Sequence, residues 1–363
     1  MGEKDEKKRF VIHPGKFGLD DKKEPTKPIL MRGRSLSFSA PVNRDIYSSL
    51  SESPAAKYLA DFAYKDDFYD IPEFEEGMVI RNYLIGQTLG GGVYSECREA
   101  YILNNKEISA ANIPDKVALK IITDPRYLST FKREIRIWSH LNHPNILPLI
   151  EDFSGDGCMV AVSILAEHGN LHSFISKNGK ISEEMTRKFF KQIISAVHYL
   201  HEVVKIVHLD IKLENILIRK DFEIYLCDFG TCVKCDDSCI NDDFITFESN
   251  DQFCTGSITS LPPEVFSPSN TSLKSFSDES FALKKKQDIW ALGIALYAMI
   301  TGKLPFCDDF LPRLQHSIVS GDYKPLPDST CPEVKFLISK LLLKNPEDRP
   351  SIVELLKNPW ICK

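Results

Sequence analysis

The sequence predicts an α+β fold, and three observations carry that expectation. First, short runs rich in Val, Ile and Leu recur between turn residues, as in Val117-Ala-Leu-Lys120, Ile206-Val207, Ile216-Leu-Ile218 and Glu223-Ile-Tyr-Leu-Cys227, and these have the length and composition of strands. Second, Phe131, Ile135, Trp138 and Leu141 recur at helical spacing, which predicts an amphipathic helix over 130–141 with Ser129 or Thr130 as its cap. Third, the most apolar run, Ile289 to Ile300, is shorter than the roughly 18 residues a membrane span needs and fits a helix buried on all sides.

Taken in order, the first element of chemical interest is Leu89-Gly-Gly-Gly-Val-Tyr-Ser-Glu-Cys97. Gly90, Gly91 and Gly92 would let backbone amides approach a phosphate with no side chain in the way, although alone they also suit a plain hairpin turn. Val117 to Lys120 then reads as a strand ending in a lysine. Glu134 lies one residue off the apolar stripe of the helix, where a glutamate is ordinarily solvated. The most informative tract is Ile206-Val-His-Leu-Asp210-Ile-Lys212-Leu-Glu-Asn215-Ile-Leu-Ile218. Two apolar strands flank a rigid polar loop. An Asp, a Lys two residues on and an Asn five residues on suit a reaction that sets a hydroxyl against a metal-bound phosphate. The Asp can accept the hydroxyl proton, the Lys can neutralise charge on the moving group, and the Asn oxygen is a hard ligand for magnesium. Asp228 closes the next strand and supplies a second carboxylate. The bland alternative for the tract is a strand-turn-strand with solvated charges.

This tract resembles the catalytic loop of protein kinases, H-R-D-x-K-x-x-N, with Leu209 in place of the Arg. The remaining motifs of that family follow in the expected order over about 280 residues, from near Ile80 to Trp360. The resemblance implies a two-lobed kinase fold, with a small antiparallel-sheet N-lobe carrying one main helix and a larger, mainly helical C-lobe. It implies a nucleotide site from Leu89, Gly90, Gly91, Gly92, Cys97, Ala118, Lys120 and Glu134, with Lys120 on the phosphates and Glu134 holding that lysine. Asp210 and Lys212 become the catalytic pair, Asn215 and Asp228 the metal ligands, and ATP and Mg²⁺ the cofactors. Leu261-Pro-Pro-Glu264 is similar to the A-P-E signature, Asp288 to the Asp that braces the catalytic loop, and Arg349 to the Arg that pairs with that Glu. Lys212 within D-x-K-x-x-N is the serine/threonine pattern. The implied activity is therefore transfer of the ATP γ-phosphoryl group to Ser and Thr hydroxyls of proteins. The closing stretch, Ser351 to Ile361, is similar to the calcium/calmodulin-dependent and Snf1-like branch, and the chain ends two residues later with no autoinhibitory helix expected.

Several positions depart from the family pattern. Ser95 replaces the third glycine of the loop, and Trp138 stands where a smaller apolar residue is usual. Leu209 cannot collect an activation-loop phosphate as the family's Arg does. The stretch from Asp228 to Glu264 carries eight acidic groups against the single Lys234, so added phosphate would increase repulsion. Together these predict an activity that does not depend strongly on activation-loop phosphorylation. Glu214 predicts a preference for basic residues N-terminal to the target hydroxyl. The main competing class is a scaffold that keeps the fold without chemistry, favoured by Ser95, Leu209 and the divergent segment before Glu264. Lys120, Glu134, Asp210, Lys212, Asn215 and Asp228 are all present, which argues against it. Glu264, Asp288 and Arg349 argue against a small-molecule kinase.

Composition sets the outer bounds. The 363 residues are 43 % hydrophobic and 26 % charged with a net charge of −6, a globular balance without a nucleic-acid footprint. No membrane span and no secretion signal are read, so the expected location is the cytoplasm with access to the nucleus, where the ten cysteines stay reduced. Cys232, Cys235, Cys239 and Cys254 are loosely zinc-like in spacing, but the paired knuckles of a zinc site are missing. Domain limits are drawn at a largely disordered tail, 1–78, and a kinase domain, 79–362. Between Met1 and Leu50 eleven basic residues face seven acidic ones. Arg32-Gly-Arg-Ser35-Leu-Ser37-Phe-Ser39 within that tail suits phosphorylation and capture by a phosphoserine-binding adaptor, and a plain serine-rich linker accounts for it equally well. Two insertions, 104–114 and 267–280, read as surface loops. The linker between lobes falls within Ser163 to Glu167.

Overall fold

Period-two burial builds the smaller lobe. A computed structural model of the chain describes residues 74–91, 95–103, 115–155, 158–234, 258–266 and 278–363. Six strands, β1 (Val79–Ile80), β2 (Tyr83–Gly91), β3 (Glu96–Ile102), β4 (Lys116–Ile122), β5 (Leu149–Gly155) and β6 (Cys158–Ile164), form one sheet in the order β1-β2-β3-β4-β6-β5. Every neighbouring pair is antiparallel. In β4, Val117, Leu119 and Ile121 point into an outer cluster with Tyr83, Ile85, Val160 and Val162, while Ala118 and Lys120 take the other face. Phe74 and Met78 pack on the same cluster, and Arg98 donates to the Phe74 carbonyl, so the folded unit reaches back to residue 74.

Helix α1 (Leu128–Trp138) crosses the inner face of this sheet. Its start differs from the sequence expectation. Tyr127, not Ser129 or Thr130, is the cap residue, and it makes no side-chain cap bond. A 3₁₀ turn at Pro125–Tyr127 precedes the helix, capped by Asp124 through the Arg126 amide at 2.9 Å, so Pro125 starts the coil before the serine is reached. The predicted stripe is otherwise present, with Phe131, Ile135 and Trp138 buried and Leu141 half-buried in the turn that follows.

The larger lobe is helical: α2 (Leu171–Asn178), α3 (Glu183–His198), α4 (Asp278–Thr301), α5 (Leu311–Ser320), α6 (Pro332–Leu341), α7 (Ile352–Leu355) and α8 (Pro359–Cys362). The run from Ile289 to Met299 in α4 is buried throughout, which explains its apolar composition on every side. Gly293 is needed there: a Cβ would sit 2.8 Å from both Leu341 Cβ and Leu342 Cδ2. A π-helical turn, Tyr199–Val203, extends α3 and carries His201 under the loop that follows. Short strands β7 (Ile206–Val207), β8 (Ile216–Ile218), β9 (Ile224–Leu226) and β10 (Val233–Lys234) pair as β7 with β10 and β8 with β9. Both lobes belong to one contact unit, and one apolar cluster runs from Phe131 and Trp138 of α1 through Phe229 to α4. Gly92, the insertion 104–114, residues 267–277 of the second insertion, Cys235, Cys239, Cys254 and the serines of the tail lie outside the described residues, and 278–280, read in the sequence as loop, are instead the first residues of α4. Among the described residues no helix is long and apolar enough to cross a membrane.

Candidate active site

The polar groups singled out in the sequence converge at the junction of the lobes. Lys120 leaves the inner face of β4, and its Nζ donates to Glu134 Oε1 and Oε2 at 2.7 and 2.9 Å and to Asp228 Oδ1 at 3.1 Å. Glu134 is only 5 % exposed, so it is the buried partner of Lys120 that the resemblance implies and not the solvated helix glutamate that the apolar stripe alone suggests. Burial alone would push the Lys120 ammonium down, but the two carboxylates outweigh it and hold its pKa above the ordinary value. Burial pushes the Glu134 carboxyl up, opposed by Lys120. For Asp228, burial is outweighed by Lys120, and the carboxyl lies below its usual range and stays ionised. Asp228 adopts a left-handed backbone, φ 69°, a sparsely populated state that a non-glycine residue keeps only where the surroundings enforce it.

The loop between β7 and β8 is held by α4. Asp288 Oδ2 accepts from His201 Nε2 at 2.7 Å and the His208 amide at 2.9 Å, and Oδ1 accepts from the Leu209 amide at 2.8 Å. Leu209, at φ 64°, borders a small cleft with Ser260, Leu261 and Pro262. Asp210 Oδ2 accepts from Lys212 Nζ at 2.7 Å and from Asn215 Nδ2 at 2.9 Å. Its other oxygen, Oδ1, is buried with no hydrogen-bond partner among the described residues. An orphaned carboxylate oxygen is costly and is an acceptor in waiting. Burial raises the Asp210 pKa, and Lys212 opposes that rise. Asn215 spends its amide nitrogen on Asp210, which leaves its side-chain oxygen as the atom that could meet a cation.

Leu89, Gly90 and Gly91 occupy the exposed end of β2, and a Cβ on Gly90 would meet nothing within 4 Å. Cys97 is the Cα partner of both Gly90 and Lys120, so the roof of the cleft carries a thiol. Ala118 lies two residues before Lys120 on the same face and pairs with Ser163 of β6. The linker between lobes follows Ile164, the end of β6, and Glu167 within it accepts from the Lys220 amide at 2.9 Å. Among the predicted site residues, only Gly92 lies outside the described residues. Burial pushes the thiols of Cys97, Cys227 and Cys232 up, which makes them poor nucleophiles. No metal-holding cluster occurs among the described residues.

The structure gives contacts to residues that the sequence reading left without a role in the site, Arg133 above all. His208 contacts the carbonyl of Cys227 at 3.2 Å and lies 5.5 Å, ring to ring, from Phe229. Trp138 lies 6.3 Å, ring to ring, from Phe229 and donates its indole N–H to the Leu147 carbonyl. Arg133, beside Glu134, donates to the carbonyls of Gly230 and Cys232. Deeper in the lobe, Arg349 uses all five donors. Two go to Glu264 at 2.7 Å each, and the rest go to the carbonyls of Leu343, Lys286 and Lys344.

Comparison with known proteins agrees with this geometry. Residues 83–361 match the protein kinase domain. A Dictyostelium discoideum protein named probable serine/threonine-protein kinase MARK-A is 32 % identical over 286 residues, 78 % of this chain and 24 % of that protein. A Xenopus tropicalis homologue of the hormonally up-regulated neu tumor-associated kinase is 32 % identical over 293 residues, 79 % of this chain and 38 % of its own length. The serine/threonine-protein kinase cds1 of Schizosaccharomyces pombe is 32 % identical over 283 residues, 77 % and 58 % of the respective chains. The chain thus spans between about a quarter and three-fifths of these relatives. With the match covering well over half of its length, the chain belongs to the protein kinase family.

Proposed function

We propose that the chain is an active serine/threonine protein kinase that uses Mg-ATP. The single observation that carries this reading is the Asp210 carboxylate, with Oδ2 fixed by Lys212 and Asn215 and Oδ1 buried without a partner among the described residues. Asp210 orients a protein hydroxyl and accepts its proton. Lys212, 2.7 Å from that carboxylate, neutralises charge on the phosphoryl group in transit. Lys120, kept charged by Glu134 and Asp228, holds the phosphates, and the open space over Gly90 lets backbone come close to them. Asp228 and the Asn215 oxygen form a hard-oxygen donor set that suits Mg²⁺ rather than a softer metal. When bound, the ion neutralises phosphate charge and orients the nucleotide.

Substrate preference belongs to the same proposal. Glu214 is exposed and shares a cleft with His172, Lys212 and Thr259, where a carboxylate attracts Arg or Lys of an incoming peptide. The kinase domain, which reaches back to residue 74, is preceded by a tail whose Ser37 region recruits a phosphoserine-binding adaptor once modified. The seven described cysteines are free thiols, which fits a reducing compartment such as the cytoplasm or nucleus.

The reading is tested by phosphate transfer from Mg-ATP to a serine peptide with arginine on its N-terminal side. Transfer that a chelator abolishes, and that weakens when the arginine becomes alanine, is the expected result. ATP binding without transfer would overturn the reading in favour of a scaffold.

A further inference from the structure

The ion pair of Lys120 and Glu134 works only if α1 stays docked, and the usual way to secure that docking is closed to this chain. Leu209 brings no cation to the catalytic loop, and the segment beyond Asp228 is acidic. Another arrangement stands in its place. The Arg133 guanidinium, one residue before Glu134, donates through Nη1 to the Gly230 carbonyl at 2.9 Å and through Nη2 to the Cys232 carbonyl. Both acceptors follow Asp228 within four residues. The result is a closed ring. Asp228 binds Lys120 at 3.1 Å, Lys120 binds Glu134 at 2.7 Å, Glu134 adjoins Arg133, and Arg133 returns to the backbone just after Asp228.

The far side of that short segment is tied to the larger lobe. Thr231 Oγ1 donates to the His208 carbonyl at 2.8 Å, and Val233 and Lys234 pair with Val207 and Ile206. Residues 228–234 are therefore gripped by α1 on one side and by the catalytic loop on the other. A planar two-armed cation suits this task better than a point charge, because it meets two carbonyls at once. Those acceptors are neutral backbone groups, so the grip needs no covalent modification to form.

Resting on the kinase reading above, we infer that Arg133 is a positioning residue for phosphoryl transfer. It holds Glu134 and Asp228 in register, so that the nucleotide site is assembled in the unphosphorylated chain. Thr231 supports the same segment from the other side.

The test uses the full chain, treated with phosphatase and shown by mass to carry no phosphate. Parent, Arg133→Ala and Arg133→Lys are compared for peptide phosphorylation and for thermal unfolding. The parent is expected to keep its activity after treatment. Arg133→Ala is expected to lose about tenfold in kcat over KM for ATP, equivalent to about 1.4 kcal/mol, with KM for the peptide and the unfolding midpoint unchanged. Arg133→Lys, which can make one of the two bonds, is expected to recover part of the loss. A lesion that only loosened the fold would lower the midpoint and leave KM for ATP alone, and that pattern overturns the inference. So does an Arg133→Ala protein with the parent's kinetics, or a parent that phosphatase silences. A parent silent both before and after treatment overturns the kinase reading itself, and the inference with it.

Discussion

Asp210 and Asp228 lie on the same site yet are pushed in opposite directions. Burial raises Asp210, while Lys120 holds Asp228 below the usual range. The reactive form of Asp210 is the carboxylate, so activity exists above its pKa and falls as pH drops through it. Because that pKa is raised, the fall begins at a higher pH than the ordinary value near 3.9 would give. A pH profile of kcat over KM is expected to show this acid limb, and a profile flat down to the ordinary carboxylate range would contradict it. Lys120→Met should remove the cation shared by Glu134 and Asp228 and lower kcat over KM for ATP by about 10²-fold or more. Steady-state kinetics against ATP measure that directly. Asp210, Lys212, Asn215 and Asp228 were legible in the sequence because the chemistry restricts which side chains can serve. Arg133 was not, because its partners are carbonyls, which every residue possesses and no sequence marks.

At the level of elements, the 3.6-residue and two-residue periods forecast α1 and β4 well, since each buries one face. The start of α1 was missed because a proline turn capped by Asp124 begins the coil earlier, a competition between two good caps that composition does not rank. The apolar run of α4 was read as a buried helix, but the reason for Gly293 emerges only from its neighbours. Gly293→Ala forces Leu341 and Leu342 aside and should cost about 1–3 kcal/mol of stability. Urea unfolding gives that difference, and a loss below about 0.5 kcal/mol would mean the contact relaxes freely. Arg349 and Glu264 were paired through the family resemblance, and their 2.7 Å contacts tie the turn before α7 to the segment that ends at Glu264. Breaking that buried pair by Arg349→Met should cost about 3–5 kcal/mol, read from the same unfolding experiment.

For the molecule as a whole, the two lobes are coupled through a continuous apolar cluster and through Lys120, Glu134 and Asp228. Motif order conveyed that architecture, because each motif is fixed to a particular place in the fold. It did not convey where the folded unit begins. Met78 accepts from the Ile85 amide at 2.8 Å, and Phe74 packs on the sheet, so residues before β1 belong to the lobe. A chain starting at residue 79 should therefore unfold more readily than one starting at residue 74. Thermal unfolding of the two decides this, and identical midpoints would restrict the lobe to the strands themselves. The central claim, that this chain transfers phosphate with Asp210 as the base, is tested most directly by one comparison. Parent and Asp210→Asn, matched for folding by thermal unfolding and for ATP binding, are assayed for phosphate transfer from Mg-ATP to a basic serine peptide. The account predicts transfer by the parent and a loss of at least about 10²-fold in kcat for the variant. Equal rates for the two proteins would contradict it.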